Sequence, residues 1–132
     1  KTFKEIVDCR LKNKLGGYSS YKLTTLLEVM NSKILNKAIL IIEIEDKDKQ
    51  AIDNFMYLIN NKKNVQIQSF DINILRYIYD TYHHTSLYYI SYKLPTIIEP
   101  FLEGLILNYK SITKTTKKET GKKIYIWTVN KK

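Results

Sequence analysis

The chain is poor in the residues that would mark most specialised protein classes. A single cysteine, Cys9, has no partner for an intrachain disulfide, and no second Cys or nearby His stands at metal-ligand spacing from it. The expectation is an ordinary buried or half-buried thiol. With only 4 Gly and 2 Pro against 44% hydrophobic and 27% charged residues, the composition excludes collagenous, linker and disordered classes. Long apolar runs are also missing. The longest, Ala38 to Ile42, ends at Glu43, far short of the ~20 residues a membrane-spanning helix needs. The opening Lys1-Thr2-Phe3-Lys4-Glu5 lacks the apolar stretch and cleavage site of a secretory signal, and the compartment stays open between cytoplasm and membrane surface.

Acidic residues are outnumbered, 13 against 22 Lys and Arg, for a net charge of +9. Such an excess favours phosphate, nucleic acid or an anionic membrane surface without choosing among them. The cations are spread along the chain. Their one cluster, Lys114, Lys117, Lys118, Lys122 and Lys123, reads as a solvated face. At 132 residues the length fits one domain able to bury a modest core.

Hydrophobic patterning alternates β-rich runs with helical ones, the order of an α/β fold with a parallel sheet. The first region reads as helical. Thr25 and Glu28 have capping-box spacing ahead of the stripe Leu26, Val29, Met30 and Ile34, and Gly16-Gly17 precede it as a loop. The run Ala38 to Glu45 suits a buried parallel strand, and Ala51, Ile52, Phe55, Met56 and Ile59 follow at helical spacing up to a break at 60–64. Val65 to Ser69 is a second strand, with Asp71 placed to cap a helix carrying Ile74, Leu75, Ile78 and Tyr79. Ser86 to Tyr92 makes a third strand. Pro95 closes it before a short helical turn around Ile97 to Leu102, and Leu105 to Tyr109 reads as a further short strand. Ser111 to Glu119 is ambiguous between helix and loop, and Gly121 turns the chain into a last strand, Lys123 to Val129.

About four strand-helix units correspond to roughly half of a (β/α)₈ barrel of ~250 residues, so the fold expected is a partial TIM barrel with parallel strands. A small doubly wound sheet fits the same pattern, but the Gly-rich phosphate loop such sheets place after their first strand is absent.

Period-2 geometry puts Ile41, Glu43 and Glu45 on one face of the first strand. Two carboxylates ~6 to 7 Å apart are costly to bury unless a cation lies between them, and a hard cation such as Mg²⁺ or Ca²⁺ suits their oxygens. The bland reading makes Glu45 and Asp46 the start of a solvated loop. His83-His84 falls in a turn before the third strand, at the end opposite a barrel's active site, which favours a surface or packing role. Ser69 stands at a suitable strand end but has no neighbouring base to make it a nucleophile. Tyr88, Tyr89, Tyr92 and Phe101 read as strand and core packing rather than a stacking platform.

Several segments together resemble the later signature regions of the glycerophosphodiester phosphodiesterase family. They are Ile42-Glu43-Ile44 after an apolar run, Gln68-Ser69-Phe70-Asp71 with Leu75 beyond, and Ile126-Trp127-Thr128-Val129-Asn130. Leu23 to Val29 resembles the stretch preceding the Glu-bearing strand, with Thr24 where the family usually has Pro. The resemblance runs over nearly the whole chain, and Trp-Thr-Val-Asn is its most distinctive piece. It implies a metal-dependent barrel hydrolysing glycerophosphodiesters to glycerol 3-phosphate and an alcohol. By matching position, Glu43 would be a ligand of Mg²⁺ or Ca²⁺, and Trp127 would line the substrate pocket. Glu45 stands in the substrate region where the family usually has Lys, reversing a phosphate contact.

The family's His-Arg-Gly and Glu-Asn-Thr segments, its paired acids, its second catalytic His and its closing Thr-Asp strand are not in this stretch. The expectation places all but the last before Lys1. It makes this stretch inactive alone, with self-association of a half barrel and membrane association through segments outside it. No specific nucleic-acid partner is expected. The rival readings are a nucleic-acid binder, whose lysines would have to converge on one face, and a non-catalytic regulatory or membrane-surface domain of the same fold.

Overall fold

A computed structural model of the chain describes residues 2–33, 37–59 and 62–128. They form two compact units, Lys1–Ala38 and Ile39–Lys132.

The first unit holds two short helices, α1 (Phe3–Val7) and α2 (Leu26–Met30), with a two-stranded antiparallel hairpin of β1 (Arg10–Lys12) and β2 (Tyr18–Lys22) between them in sequence. Both helices begin with a capping box, Thr2 with Glu5 and Thr25 with Glu28, the second as the sequence leads one to expect. The sequence reading places a loop at Gly16-Gly17 and a helix after Thr25, and the structure adds the two strands that flank that loop. Asn13 makes the hairpin turn: the side-chain oxygen accepts from the amides of Leu15 (3.0 Å) and Gly17 (2.9 Å). Gly16 supplies the left-handed φ of 84° that closes it. Ile34 of the expected stripe lies outside the described residues.

The second unit is α/β. Its strands β3 (Leu40–Glu43), β4 (Val65–Ser69), β5 (Leu87–Ser91), β6 (Gly104–Asn108) and β7 (Lys123–Trp127) pair in sequence order, every neighbour parallel. Parallel neighbours require crossovers. Two of these carry the amphipathic helices α3 (Lys49–Ile59) and α4 (Ile72–Tyr82), which bury Ile52, Met56, Ile59, Ile74, Leu75 and Ile78. The strand residues Val65, Ile67, Leu87, Leu105 and Leu107 complete the buried core. Asp71 caps α4 as expected, its carboxylate accepting from the Asn73 amide at 2.9 Å.

Several boundaries differ from the sequence reading. The first strand is four residues rather than eight and lies at an edge of the sheet, so Ile41 and Glu43 are exposed rather than buried. Among the described residues five strands run parallel rather than four main ones, because Gly104–Asn108 is a full member. Residues 97 to 102 form bends and a turn instead of a helical turn, so the β5 to β6 crossover carries no helix. The ambiguous segment after β6 resolves into a 3₁₀ turn at Tyr109–Ser111 and a one-turn helix, α5 (Thr116–Thr120), which ends at left-handed Gly121. Val129 of the expected last strand, and Asn60 and Asn61 of the expected break, lie outside the described residues.

The sheet curls into a half-barrel. The Phe70 ring, just past β4, lies 6.0 Å from that of Trp127 on β7. Three strand intervals separate β4 from β7, which in a flat sheet would be about 14 Å. Register puts Glu43, Gln68, Tyr88, Gly104 and Lys123 in one row across the concave face. Among the described residues no helix is long and apolar enough to cross a membrane.

Candidate ligand-binding rim at the strand C-termini

Glu43, Ser69 and Trp127 each end a parallel strand, so all three lie on one rim of the sheet. They do different work there.

Ser69 is buried and structurally engaged. Its hydroxyl donates to the Ile44 carbonyl at 2.6 Å and accepts from the Asp71 amide at 3.1 Å. That double use ties the loop after β3 to the start of α4. A hydroxyl so placed, with no base beside it, is a latch rather than a nucleophile.

Lys47 and Asp71 close the same corner with an ion pair at 2.9 Å. The Lys47 ammonium and the Asn73 amide hold the Asp71 carboxyl below the usual carboxylate range. Glu45 is exposed and, with Lys47, Ser69, Phe70 and Asp71, lines an open cleft of about 340 Å³ between the two loops. The charge that Glu45 brings to the cleft is negative. The nearest cation, Lys47, is already neutralised by Asp71, so the cleft has little net attraction for an anion.

Glu43 faces the concave side, where its Oε2 accepts from Gln68 Nε2 at 3.3 Å. Among the described residues no three His, Cys, Asp or Glu side chains gather as a metal site. Glu43 and Glu45 are both exposed, so the burial cost that would call for a cation between them does not arise. One carboxylate beside an amide does not satisfy a hard cation that takes ~6 or more oxygens. Glu43 would therefore be one ligand among several for the divalent ion implied by the resemblance.

Trp127 is half-buried, its indole Nε1–H donating to the Ile106 carbonyl at 3.3 Å. It packs against the buried cluster of Tyr88, Ile90 and Ile106. Tyr92 meets its edge at 4.9 Å and Phe70 at 6.0 Å, while Phe70 and Tyr92 stack on each other at 5.6 Å. Three strands thus contribute one aromatic wall along the rim. The sequence reading assigned Tyr92 to packing, yet it is 66% exposed and belongs to this wall. Phe70, also exposed, was not singled out by its own chemistry. Its signal was positional: it follows a strand end directly, as does Tyr92. Tyr88 does pack in the core, and Phe101 stacks on Tyr79 at 5.1 Å.

The histidines lie at the opposite rim, as expected. His83 is the left-handed C-cap of α4, with its amide donating to the Tyr79 carbonyl. His84 is buried, with Nε2 3.0 Å from the carbonyl of Val65, the first residue of β4. Burial pushes its pKa down, so the ring is neutral at physiological pH and donates to that carbonyl. Beside it Ser86 donates to Glu103, which also pairs with Lys123.

Comparison of the chain with protein-family profiles, with curated proteins and with solved structures finds no match.

Proposed function

We propose that the rim of Glu43, Phe70, Tyr92 and Trp127 binds the glycerol phosphate part of a glycerophosphodiester, and that this chain forms the later half of a (β/α)₈ phosphodiesterase. The observation carrying the reading is the aromatic wall around Trp127 on the concave side that also bears Glu43. An apolar wall beside hydrogen-bonding groups is the composition of a small-molecule site, and strand C-termini are where barrel enzymes place theirs. The wall would cover the carbon skeleton of the ligand, and Glu43 and Gln68 would accept from and donate to its oxygens.

The reaction implied is hydrolysis of the phosphodiester to glycerol 3-phosphate and an alcohol. A bound Mg²⁺ or Ca²⁺ supplies Lewis-acid polarisation of the phosphoryl oxygen in such chemistry. Here Glu43 would be one ligand among several, the others coming from outside these residues. Ligand binding is accordingly assigned to this chain and turnover to a complete barrel. A second reading, a binding domain without catalysis, is favoured by Glu45 and by the Lys47–Asp71 pair, which together leave the cleft without a free cation for phosphate.

Trp127 is the only tryptophan, so intrinsic fluorescence reports on the rim directly. Titration with glycerophosphocholine should give a saturable change in its emission, absent with choline, while release of glycerol 3-phosphate stays at background with or without Mg²⁺ or Ca²⁺. An unresponsive Trp127 would remove the rim as a site. Metal-dependent turnover would mean that the catalytic groups are already present in this chain, with His83 and His84 the first to substitute. The outer edges of β3 and β7 pair with no other strand among the described residues, so sedimentation should show concentration-dependent self-association.

A further inference from the structure

We propose that the β1–β2 hairpin is a contact for an anionic membrane surface, taking the phosphates of acidic phospholipid headgroups. This inference concerns the first unit and is independent of the rim.

Between Asp8 and Glu28 the sequence has no acidic residue, while Arg10, Lys12, Lys14 and Lys22 bring four cations onto or beside the hairpin. Asp8 pairs with Lys22 at 3.3 Å and offsets one of the four. Cross-strand pairing sets Arg10 opposite Lys22 and Lys12 opposite Tyr18, with an irregularity in register between the two pairs, and Lys14 follows in the turn, so the cations lie close together along this short hairpin. The charge is thus concentrated, and it complements a surface of phosphates.

The apolar groups of the hairpin are arranged for the same partner. Leu15 projects from the turn with 95% of its surface exposed, and Tyr18 and Tyr21 on the ascending strand are 72% and 74% exposed. An aliphatic tip followed by amphipathic tyrosines and lysines is the order in which a bilayer presents acyl boundary, carbonyl region and headgroup phosphate. Single-stranded nucleic acid fits less well. The residue standing furthest out is a leucine, which neither stacks on bases nor hydrogen-bonds, and the Tyr18 ring is already occupied by Lys12 Nζ at 5.6 Å from its centroid.

The test is co-sedimentation of the 132-residue chain with vesicles of phosphatidylcholine alone or mixed with phosphatidylglycerol. A single-stranded oligonucleotide serves as competitor. Binding is expected only to the mixed vesicles and should fall as salt is raised. Lys12→Gln with Lys14→Gln should lower partitioning about 30-fold, from roughly fivefold per lost cation. Leu15→Asp should lower it independently. All three side chains are exposed, so the fold should survive, and unchanged far-ultraviolet circular dichroism and hairpin amide chemical shifts away from the substituted positions check that it does. The proposal is overturned if these variants partition like the parent chain. It is equally overturned if the oligonucleotide displaces the vesicles while Leu15→Asp has no effect, which would make the hairpin a nucleic-acid contact. Neither outcome alters the response of Trp127 to glycerophosphocholine, so failure here and failure of the rim reading are separable.

Discussion

Tyr88 and Tyr125 stack with ring centroids 5.2 Å apart and planes 7° apart, although β6 lies between their strands. Gly104 makes this contact possible. A methyl group at Gly104 would meet the Tyr88 ring at 2.5 Å and the Lys123 carbonyl at 2.6 Å. The bare backbone lets one ring lie over β6, and the pair helps draw β5 and β7 around the concave face.

Gly104→Ala should therefore lower stability by about 1–3 kcal/mol, the usual cost of forcing extra volume into a packed site. Urea unfolding followed by Trp127 emission measures it. A change within experimental error would mean that the Tyr88 ring moves aside freely and that the stack contributes little.

Asp53 on α3 accepts from two phenols of α4, Tyr77 at 2.7 Å and Tyr82 at 2.5 Å. The hydrogen bond to this carboxylate, with some desolvation, pushes Tyr82 up to about 12. In Asp53→Ala the Tyr82 resonance, followed by NMR of ring-labelled tyrosine, should titrate nearer the ordinary value of about 10. The thermal midpoint should fall as α3 loses its hold on α4. Unaltered titration would show that the phenols find other acceptors.

His84 gives stability a pH dependence of known sign. Its folded pKa lies below the unfolded value of about 6.5, so below that pH the unfolded chain binds the extra proton first. The contribution is fully present above the unfolded pKa and is lost as pH falls through the folded one, with a slope of at most about 1.4 kcal/mol per pH unit. Asp71, also lowered, adds a loss of the same sign at more acid pH. Unfolding free energies across this range should decline for the parent chain and flatten near pH 6 in His84→Gln. A decline of equal steepness in that variant would assign the effect to other groups.

Glu45→Lys should strengthen binding of glycerol 3-phosphate, because an exposed repulsion in the cleft becomes an attraction. Two units of charge change at several ångströms in a wet cleft correspond to roughly tenfold in Kd. Calorimetric titration decides it. Equal affinity in parent and variant would place the phosphate away from Glu45.

Local sequence determined the elements whose signals are short-range. Val65–Ser69 forms a strand because its apolar content is bounded by turn residues, Asp71 caps α4 because its carboxylate reaches an amide two residues on, and Thr25 with Glu28 builds a capping box within one turn. The parallel α/β order also followed from local pattern, as did the location of Ser69 at a strand end. The hairpin at Arg10–Lys22 escaped because its strands have no buried face to impose period-2 alternation. Its turn depends on an Asn13 side chain that any polar loop could contain.

Only the tertiary structure decided what meets across strands. Phe70, Tyr92 and Trp127 are separated by at least one strand-helix or strand-loop crossover, and no spacing in the chain relates them. Phe70 and Tyr92 meet across neighbouring strands, and sheet curvature brings Trp127 to them, because side chains on a concave face converge while those on a flat face stay a strand spacing apart. Exposure of Ile41 and Glu43 was likewise settled by the tertiary arrangement: a run this apolar suits the sheet interior, but β3 has one strand neighbour among the described residues, and its concave-side residues Ile41 and Glu43 are left open to solvent.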